Sequence, residues 1–213
     1  MKIIAINGSP RKNWNTHILL EKCLEGAKAT GAEIELINLY DIQFKGCTSC
    51  FSCKLKGNTV RKCAMKDNLE PVLQNICECD ALVLGSPIYF SSVTGEMRSF
   101  LERLLFPYSS YEGKPSTFGK KIKTAFIYTM NAPSFALWLI GYTKLFKYNK
   151  KLMKRIFGDC ETLVVTETYQ FSDYNKYAMT YFDGTKRKKR RETVFIEDCK
   201  KAFILGKKIC EKQ

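Results

Sequence analysis

Short apolar runs alternate with amphipathic segments along this chain, a pattern that predicts a mixture of strands and helices. Strands are predicted at 2–7, 33–39, 81–84, 123–128 and 162–166, and helices at 15–30, 94–105, 134–157 and 193–210. A further helix is expected to start at Asp67, with Glu70 placed to complete a capping box. This alternation favours the α/β class, with a doubly wound parallel sheet of five strands in the order 2-1-3-4-5 and helices on both faces.

Length and composition favour a single domain over 1–213, with a cysteine-rich loop at 40–66 and a C-terminal helical extension at 170–213. No apolar run approaches the roughly 18 residues of a membrane span. The apolar start of the chain is too short for a secretion signal. A cytoplasmic protein is therefore expected, in which the 10 cysteines are not a disulfide framework.

Two unusual loops follow strands that are neighbours in this strand order, and ligands bind beyond the carboxyl ends of such strands. The first loop carries Ser9, Arg11, Asn15 and Thr16 and leads into a helix. Backbone N–H groups at a helix start attract phosphate, and these side chains add further donors. A plain strand-to-helix turn remains the alternative for this loop.

The second loop, 85–92, places Tyr89 and Phe90 where a turn would expose them. Aromatic rings in such a turn are expected to pack on something flat, and a flavin ring would qualify. The alternative is a loop that folds against its own helix. The two loops together indicate a ligand site more specifically than either does alone.

The sharpest local motif is a run of thiols at Cys47, Cys50 and Cys53, followed by Cys63. Thiolates three residues apart can bind one face of an iron–sulfur cubane. A four-thiolate zinc site, a redox dithiol and cysteines without a metal are the alternatives. The chain has one histidine, so a histidine-rich zinc site is excluded.

These segments resemble the flavodoxin-like NAD(P)H-dependent FMN reductases, and most closely their iron–sulfur flavoprotein branch. The resemblance rests on 8–11 with Asn15 and Thr16, on the run that begins at Cys47, and on 85–90; the tail at 171–203 resembles clostridial-type members. It implies a flavodoxin-like fold with non-covalently bound FMN. It also implies an oxidoreductase that takes a hydride from NADH or NADPH and passes electrons to an acceptor that the sequence does not identify.

The resemblance also implies residue roles, although it names no acid–base catalyst. The FMN phosphate would be held by Ser9, Arg11, Asn15 and Thr16, the isoalloxazine would be lined by Pro87, Ile88, Tyr89 and Phe90, and Thr129, Met130 and Asn131 would reach the same pocket. A [4Fe-4S] cluster would use Cys47, Cys50, Cys53 and Cys63. In two departures from the family pattern, Trp14 replaces a usual glycine, and the nine residues between Cys53 and Cys63 exceed the usual gap.

The formal charge of +14 and the six consecutive basic residues at 186–191 raise the question of anionic partners. A solvated lead-in to the last helix is favoured over a nucleic-acid or lipid site, since no recognition module accompanies the run. An apolar stripe through Phe135, Trp138 and Leu139 is flanked by lysines. It could lie on a membrane, but a subunit interface is favoured because the family's members commonly pair. A homo-oligomer without nucleic-acid or membrane partners is therefore expected.

Two other functions remain open. One is an iron–sulfur flavoprotein electron carrier that receives electrons from a ferredoxin-like protein donor. The other is a basic nucleic-acid or membrane-binding protein that uses a degenerate version of the fold, which would bind no flavin.

Overall fold

A computed structural model describes residues 1–57 and 61–211, which fold around one parallel sheet. Its parallel strands are β1 (Lys2–Asn7), β2 (Glu33–Asn38), β3 (Ala81–Tyr89), β5 (Lys123–Thr129) and β6 (Glu161–Val165), in the order β2-β1-β3-β5-β6. The short strand β4 (Ser92–Val93) pairs antiparallel with the end of β3. Without β4, the strand order is the predicted 2-1-3-4-5, so the topology predicted from the sequence is confirmed.

Helices cover both faces of the sheet. They are α1 (Asn15–Lys28), α2 (Glu70–Glu78), α3 (Gly95–Leu105), α4 (Tyr142–Phe157), α5 (Gly184–Glu192) and α6 (Val194–Cys210). Ile3 and Ala5 of β1 pack with α1 and α6, whereas Ile4 and Ile6 pack on the opposite face with α2, α3 and α4. Successive side chains of a strand point to opposite faces, so a continuously apolar strand requires two buried faces.

The helices α1 and α6 cross at two glycines. A Cβ atom on Gly206 would overlap the carbonyl oxygen of Cys23, and one on Gly26 would overlap that of Phe203. The two backbones therefore touch directly, which holds the C-terminal helix against the helix that follows the first candidate loop.

Two predicted helix starts are wrong. The helix expected from residue 134 begins at Tyr142, because an irregular run ends at Gly141 with a left-handed φ of 79°. This leaves Phe135 and Trp138 81% and 74% exposed. The capping box at Asp67 does not form, because Asp67 turns to Arg103 and Glu70 contacts Lys66.

The third strand and the basic run also differ from their predictions. The strand expected at 81–84 continues to Tyr89, because residues 85–87 still pair with β5 and the last two residues form a hairpin with β4. The basic run at 186–191 lies within helix α5; its three lysines are exposed, as expected of a solvated run, but Arg187 is buried and Arg190 and Arg191 are partly buried. In the described part of the chain, no helix is both long and apolar enough to cross a membrane.

Candidate functional site

The two candidate loops lie side by side at the carboxyl edge of the sheet. The backbone N–H of Gly8, after β1, donates to the Gly85 carbonyl in β3 at 2.8 Å. The Thr94 hydroxyl, which caps α3, donates to the Gly8 carbonyl at 2.6 Å. The structure thus brings together the two segments that the sequence singled out.

Helix α1 begins without a side-chain cap. Trp14 occupies its N-cap position and offers no acceptor, and its first turn contains no acidic residue. The first N–H groups of a helix have no partner within the helix, and they carry a partial positive charge. Asn15 and Thr16 of this turn are buried, with the Thr16 hydroxyl 2.8 Å from that of Thr129 at the end of β5. This end of α1 is therefore suited to an anion such as phosphate.

A C-terminal segment crosses the same loop. Arg11 Nη1 donates to the Gln170 carbonyl at 2.7 Å, and Asn15 Nδ2 donates to the Tyr169 carbonyl at 2.7 Å. Trp14 Nε1 also donates to the Tyr169 carbonyl, at 3.0 Å. The Trp14 ring stacks on Tyr169 and lies 4.1 Å from the Arg11 guanidinium. The tryptophan that departs from the family pattern thus fastens this segment to the phosphate loop.

The residues predicted to line a flavin ring form the β3–β4 hairpin. Ile88 is buried and pairs with Val93, whereas Tyr89 is 45% exposed and Phe90 is fully exposed. Partial burial raises the pKa of Tyr89, and the charge of Arg11 opposes that shift. Phe90 and Ser91 have backbone φ angles of 46° and 61°, which residues other than glycine adopt at an energetic cost. The hairpin holds an aromatic ring in solvent beside the phosphate loop.

The end of β5 supplies the third wall of the site. Thr129 and Met130 are buried, and Asn131 Nδ2 donates to Gln170 Oε1 at 2.8 Å. Asn131 Oδ1 is buried and has no hydrogen-bond partner among the described residues. A buried acceptor without a donor is costly, and a flavin ring carries an N–H group that could supply one. The residues present therefore fit FMN.

Two arginines of α5 reach this site. Arg191 Nη1 donates to Asn15 Oδ1 at 2.8 Å, and Arg187 Nη2 donates to the Asn131 carbonyl at 3.1 Å. Arg187 also pairs with Glu167 at 2.7 Å. The prediction of a solvated run missed them. Two signals were present: Asp183 caps the helix, and a four-residue spacing puts both arginines on one face.

The four cysteines of the motif line one small pocket, together with Phe51, Arg103 and Phe106. Cys53 is buried, Cys50 is exposed, and Cys47 and Cys63 are half-buried. Among the described residues, no three metal-binding side chains converge on a single point. Four thiols around one pocket are the donor set that a cubane uses, because its ligands bind several different iron atoms, whereas a single zinc ion needs its ligands to meet at one point.

His17 and the six cysteines outside the motif belong to neither the candidate flavin site nor the cysteine pocket. His17 is buried beside Asn7 and Glu21. Burial raises the pKa of the Cys79 thiol to about 11 and that of Cys23 to about 12. Cys77 is exposed, and its Sγ lies 2.9 Å from the Tyr108 hydroxyl.

The fold and the loops at its switch point define a flavodoxin-like α/β protein. The chain belongs to the NADPH-dependent FMN reductase family, whose sequence model matches residues 1–126. It is 45% identical over 103 residues to an iron-sulfur flavoprotein of Archaeoglobus fulgidus, a match that covers 48% of each chain. It is 36% identical over 103 residues to an iron-sulfur flavoprotein of Methanocaldococcus jannaschii, covering 48% of this chain and 51% of the relative. These matches span about half the length of the relatives.

Solved structures share the whole fold at low sequence identity. An NAD(P)H:quinone oxidoreductase from Methanothermobacter marburgensis superposes with a TM-score of 0.72 at 14% identity, covering 100% of this chain and 98% of that chain. An FMN-dependent NADH-azoreductase from Bacillus anthracis, solved with FMN, has a TM-score of 0.63 at 13% identity and covers 99% and 100%. At such identities these neighbours support the fold alone.

Proposed function

We propose that this protein is an oxidoreductase that takes electrons from NADH or NADPH through bound FMN and delivers them to an acceptor. The observation that carries the proposal is the uncapped start of α1, joined by Gly8 to the β3–β4 hairpin at the switch point of the sheet. Membership of the NADPH-dependent FMN reductase family supports the same chemistry. The proposed cofactor residues are the expected set, extended by Arg191 of α5.

FMN would supply the capacity to accept a hydride and release electrons. The chain's own residues bind and orient it. The N–H groups of the first turn of α1 and the guanidinium of Arg11 attract its phosphate, and Ser9, Asn15 and Thr16 add polar contacts. Asn131 Oδ1 would accept a hydrogen bond from the ring, and Pro87, Ile88 and Tyr89 would line it. A proton-transferring residue is not required for hydride transfer to the ring.

A second candidate function, a carrier of electrons from a ferredoxin-like donor, is favoured by the position of the cysteine pocket. Helix α3 joins the two regions, since Thr94 at its start bonds to Gly8 and Arg103 near its end bonds to Cys63. Arg103 lies nine positions after Thr94 along the helix, which is a rise of about 14 Å along the axis. A cluster at Cys47, Cys50, Cys53 and Cys63 would supply one-electron transfer close to the flavin.

Anaerobic reduction of the purified protein distinguishes these candidates. FMN, iron and sulfide per chain are measured first, and the bleaching of the flavin absorption is then followed after mixing with NADPH, NADH or a reduced ferredoxin. We expect bound FMN and faster bleaching with a nicotinamide donor. Fast bleaching with ferredoxin alone would establish the carrier function. Absence of flavin after soaking with FMN would contradict both candidates. Cys53→Ser is the matched control, since it should lose iron and keep FMN.

A further inference from the structure

Arg103 is a buried cation whose hydrogen-bonding capacity is largely used within the cysteine-rich region. Its side chain has no exposed surface, although arginine is seldom fully buried unless it is paired. It lies near the end of α3, where a positive charge also interacts favourably with the helix dipole. A buried guanidinium is stable only when its N–H groups have hydrogen-bond acceptors, as those of Arg103 do.

The acceptors of Arg103 come from both sides of the thiol run. Nη1 donates to the Lys45 carbonyl at 2.9 Å, just before the first cysteine of the run. Both terminal nitrogens bind the Asp67 carboxylate, at 2.7 and 3.1 Å, beyond the last cysteine. Nε donates to Cys63 Sγ at 3.0 Å. One rigid, planar group thereby fixes the two ends of the segment and one of its thiols.

The contact with Cys63 holds the last thiol of the run at the pocket although the spacing before it is long. Nine residues separate Cys53 from Cys63, and a longer connection costs more entropy to close. Cys63 nevertheless lines the same pocket as the other three thiols. On the opposite side, Lys54 Nζ donates to the carbonyls of Phe106 at 2.5 Å and Pro107 at 3.1 Å, which anchors the residue that follows Cys53. The start and the end of the long connection are each attached to the end of α3.

We propose that Arg103 is a positioning residue that holds Cys63 as the fourth thiol of the pocket and sets the reduction potential of the iron–sulfur cluster bound there. The inference rests on the proposed cluster site and not on the FMN site. Hydrogen bonds to ligand sulfurs and nearby positive charge stabilise the more reduced, more negative state of a cluster, and they raise its potential. Loss of the guanidinium should therefore weaken the attachment of the cluster and lower the potential of what remains.

The test uses the full chain after anaerobic reconstitution with ferrous iron and sulfide. Arg103→Gln removes the charge and the fork, Arg103→Lys keeps the charge with a single-point donor, and Arg98→Gln is the control. Arg98 lies on the same helix but is exposed, and among the described residues its one ion pair is with Glu102. Iron, sulfide and FMN per chain, the reduction potential of the cluster and the thermal unfolding temperature are measured for each variant.

We expect Arg103→Gln to lose at least half of its iron at unchanged FMN content, with a lower potential for the residual cluster. Arg103→Lys should restore iron and recover part of the potential, and Arg98→Gln should match the wild type. If Arg103→Gln does not fold, the reduction potential of the cluster in Arg103→Lys tests the proposal instead. A merely structural role of Arg103 would leave that potential at the wild-type value. Wild-type iron and potential in Arg103→Gln would overturn the proposal. A wild-type protein that binds FMN but no cluster would also overturn the proposal for Arg103, and it would leave the proposed FMN function intact. A protein that binds a cluster but no FMN would contradict the proposed FMN function and leave the proposal for Arg103 intact.

Discussion

At the scale of single residues, the candidate flavin site combines local and distant contributions. Ser9, Asn15 and Thr16 are close in the sequence to a strand end and a helix start, so their grouping could be predicted. Arg191 enters the site through contacts with Asn15, 176 residues away along the chain. Such a contact depends on how α5 docks on the rest of the fold, and no local pattern specifies that docking.

Arg191→Gln tests whether this distant arginine belongs to the phosphate site. We expect FMN affinity to fall roughly tenfold or more, because a hydrogen bond to a charged group contributes about 1.5–3 kcal/mol. Lys188→Gln is the matched control, since Lys188 lies exposed on the same helix. Fluorescence titration with FMN gives both affinities. Equal affinities for the two variants would show that Arg191 only fastens α5.

At the scale of elements, the strands could be predicted from their apolar runs. The main errors of prediction fell on segments whose structure depends on tertiary contacts. The run at 134–141 has helical apolar spacing, yet Gly141 adopts a left-handed conformation before α4. The basic run became a helix because Arg187, Arg190 and Arg191 find acceptors or aromatic partners on other elements. Propensity is a weak guide where tertiary packing decides.

The crossing of α1 and α6 gives a prediction at this scale. Gly206→Ala would place a methyl group in the space of the Cys23 carbonyl, so the helices must separate. We expect the free energy of unfolding to fall by about 3 kcal/mol, at the upper end of overpacking effects. Urea denaturation measures this difference. Gly95→Ala is the control, because nothing lies within 4 Å of its Cβ position, and it should stay within about 1 kcal/mol of the wild type. A Gly206→Ala protein as stable as the control would contradict the close crossing.

At the scale of the whole molecule, one surface departs from an ordinary soluble exterior. Phe135, Trp138, Leu139 and Ile140 are exposed next to one another in the segment before α4, and contiguous exposed apolar groups commonly mark an interaction site. The sequence indicated this apolar surface but assigned it to a helix. The predicted homo-oligomer remains a prediction, for which this surface is the natural contact.

Trp138→Glu tests that contact. A carboxylate at the centre of an apolar interface would be buried without a partner, so we expect the assembly to dissociate to monomers. Tyr181→Glu, which changes a still more exposed aromatic residue elsewhere, should leave the assembly intact. Sedimentation velocity measures the mass of each variant in solution. A monomeric wild type would contradict the expectation.

The central claim is that the switch point between β1 and β3 binds FMN through its phosphate at the start of α1. The most direct test is a titration of flavin-free protein with FMN and with riboflavin, which has the same ring but no phosphate. We expect FMN to bind at least roughly tenfold more tightly, because a charge-assisted contact to phosphate contributes about 1.5–3 kcal/mol. Equal affinity for both ligands, or binding of neither, would contradict the account.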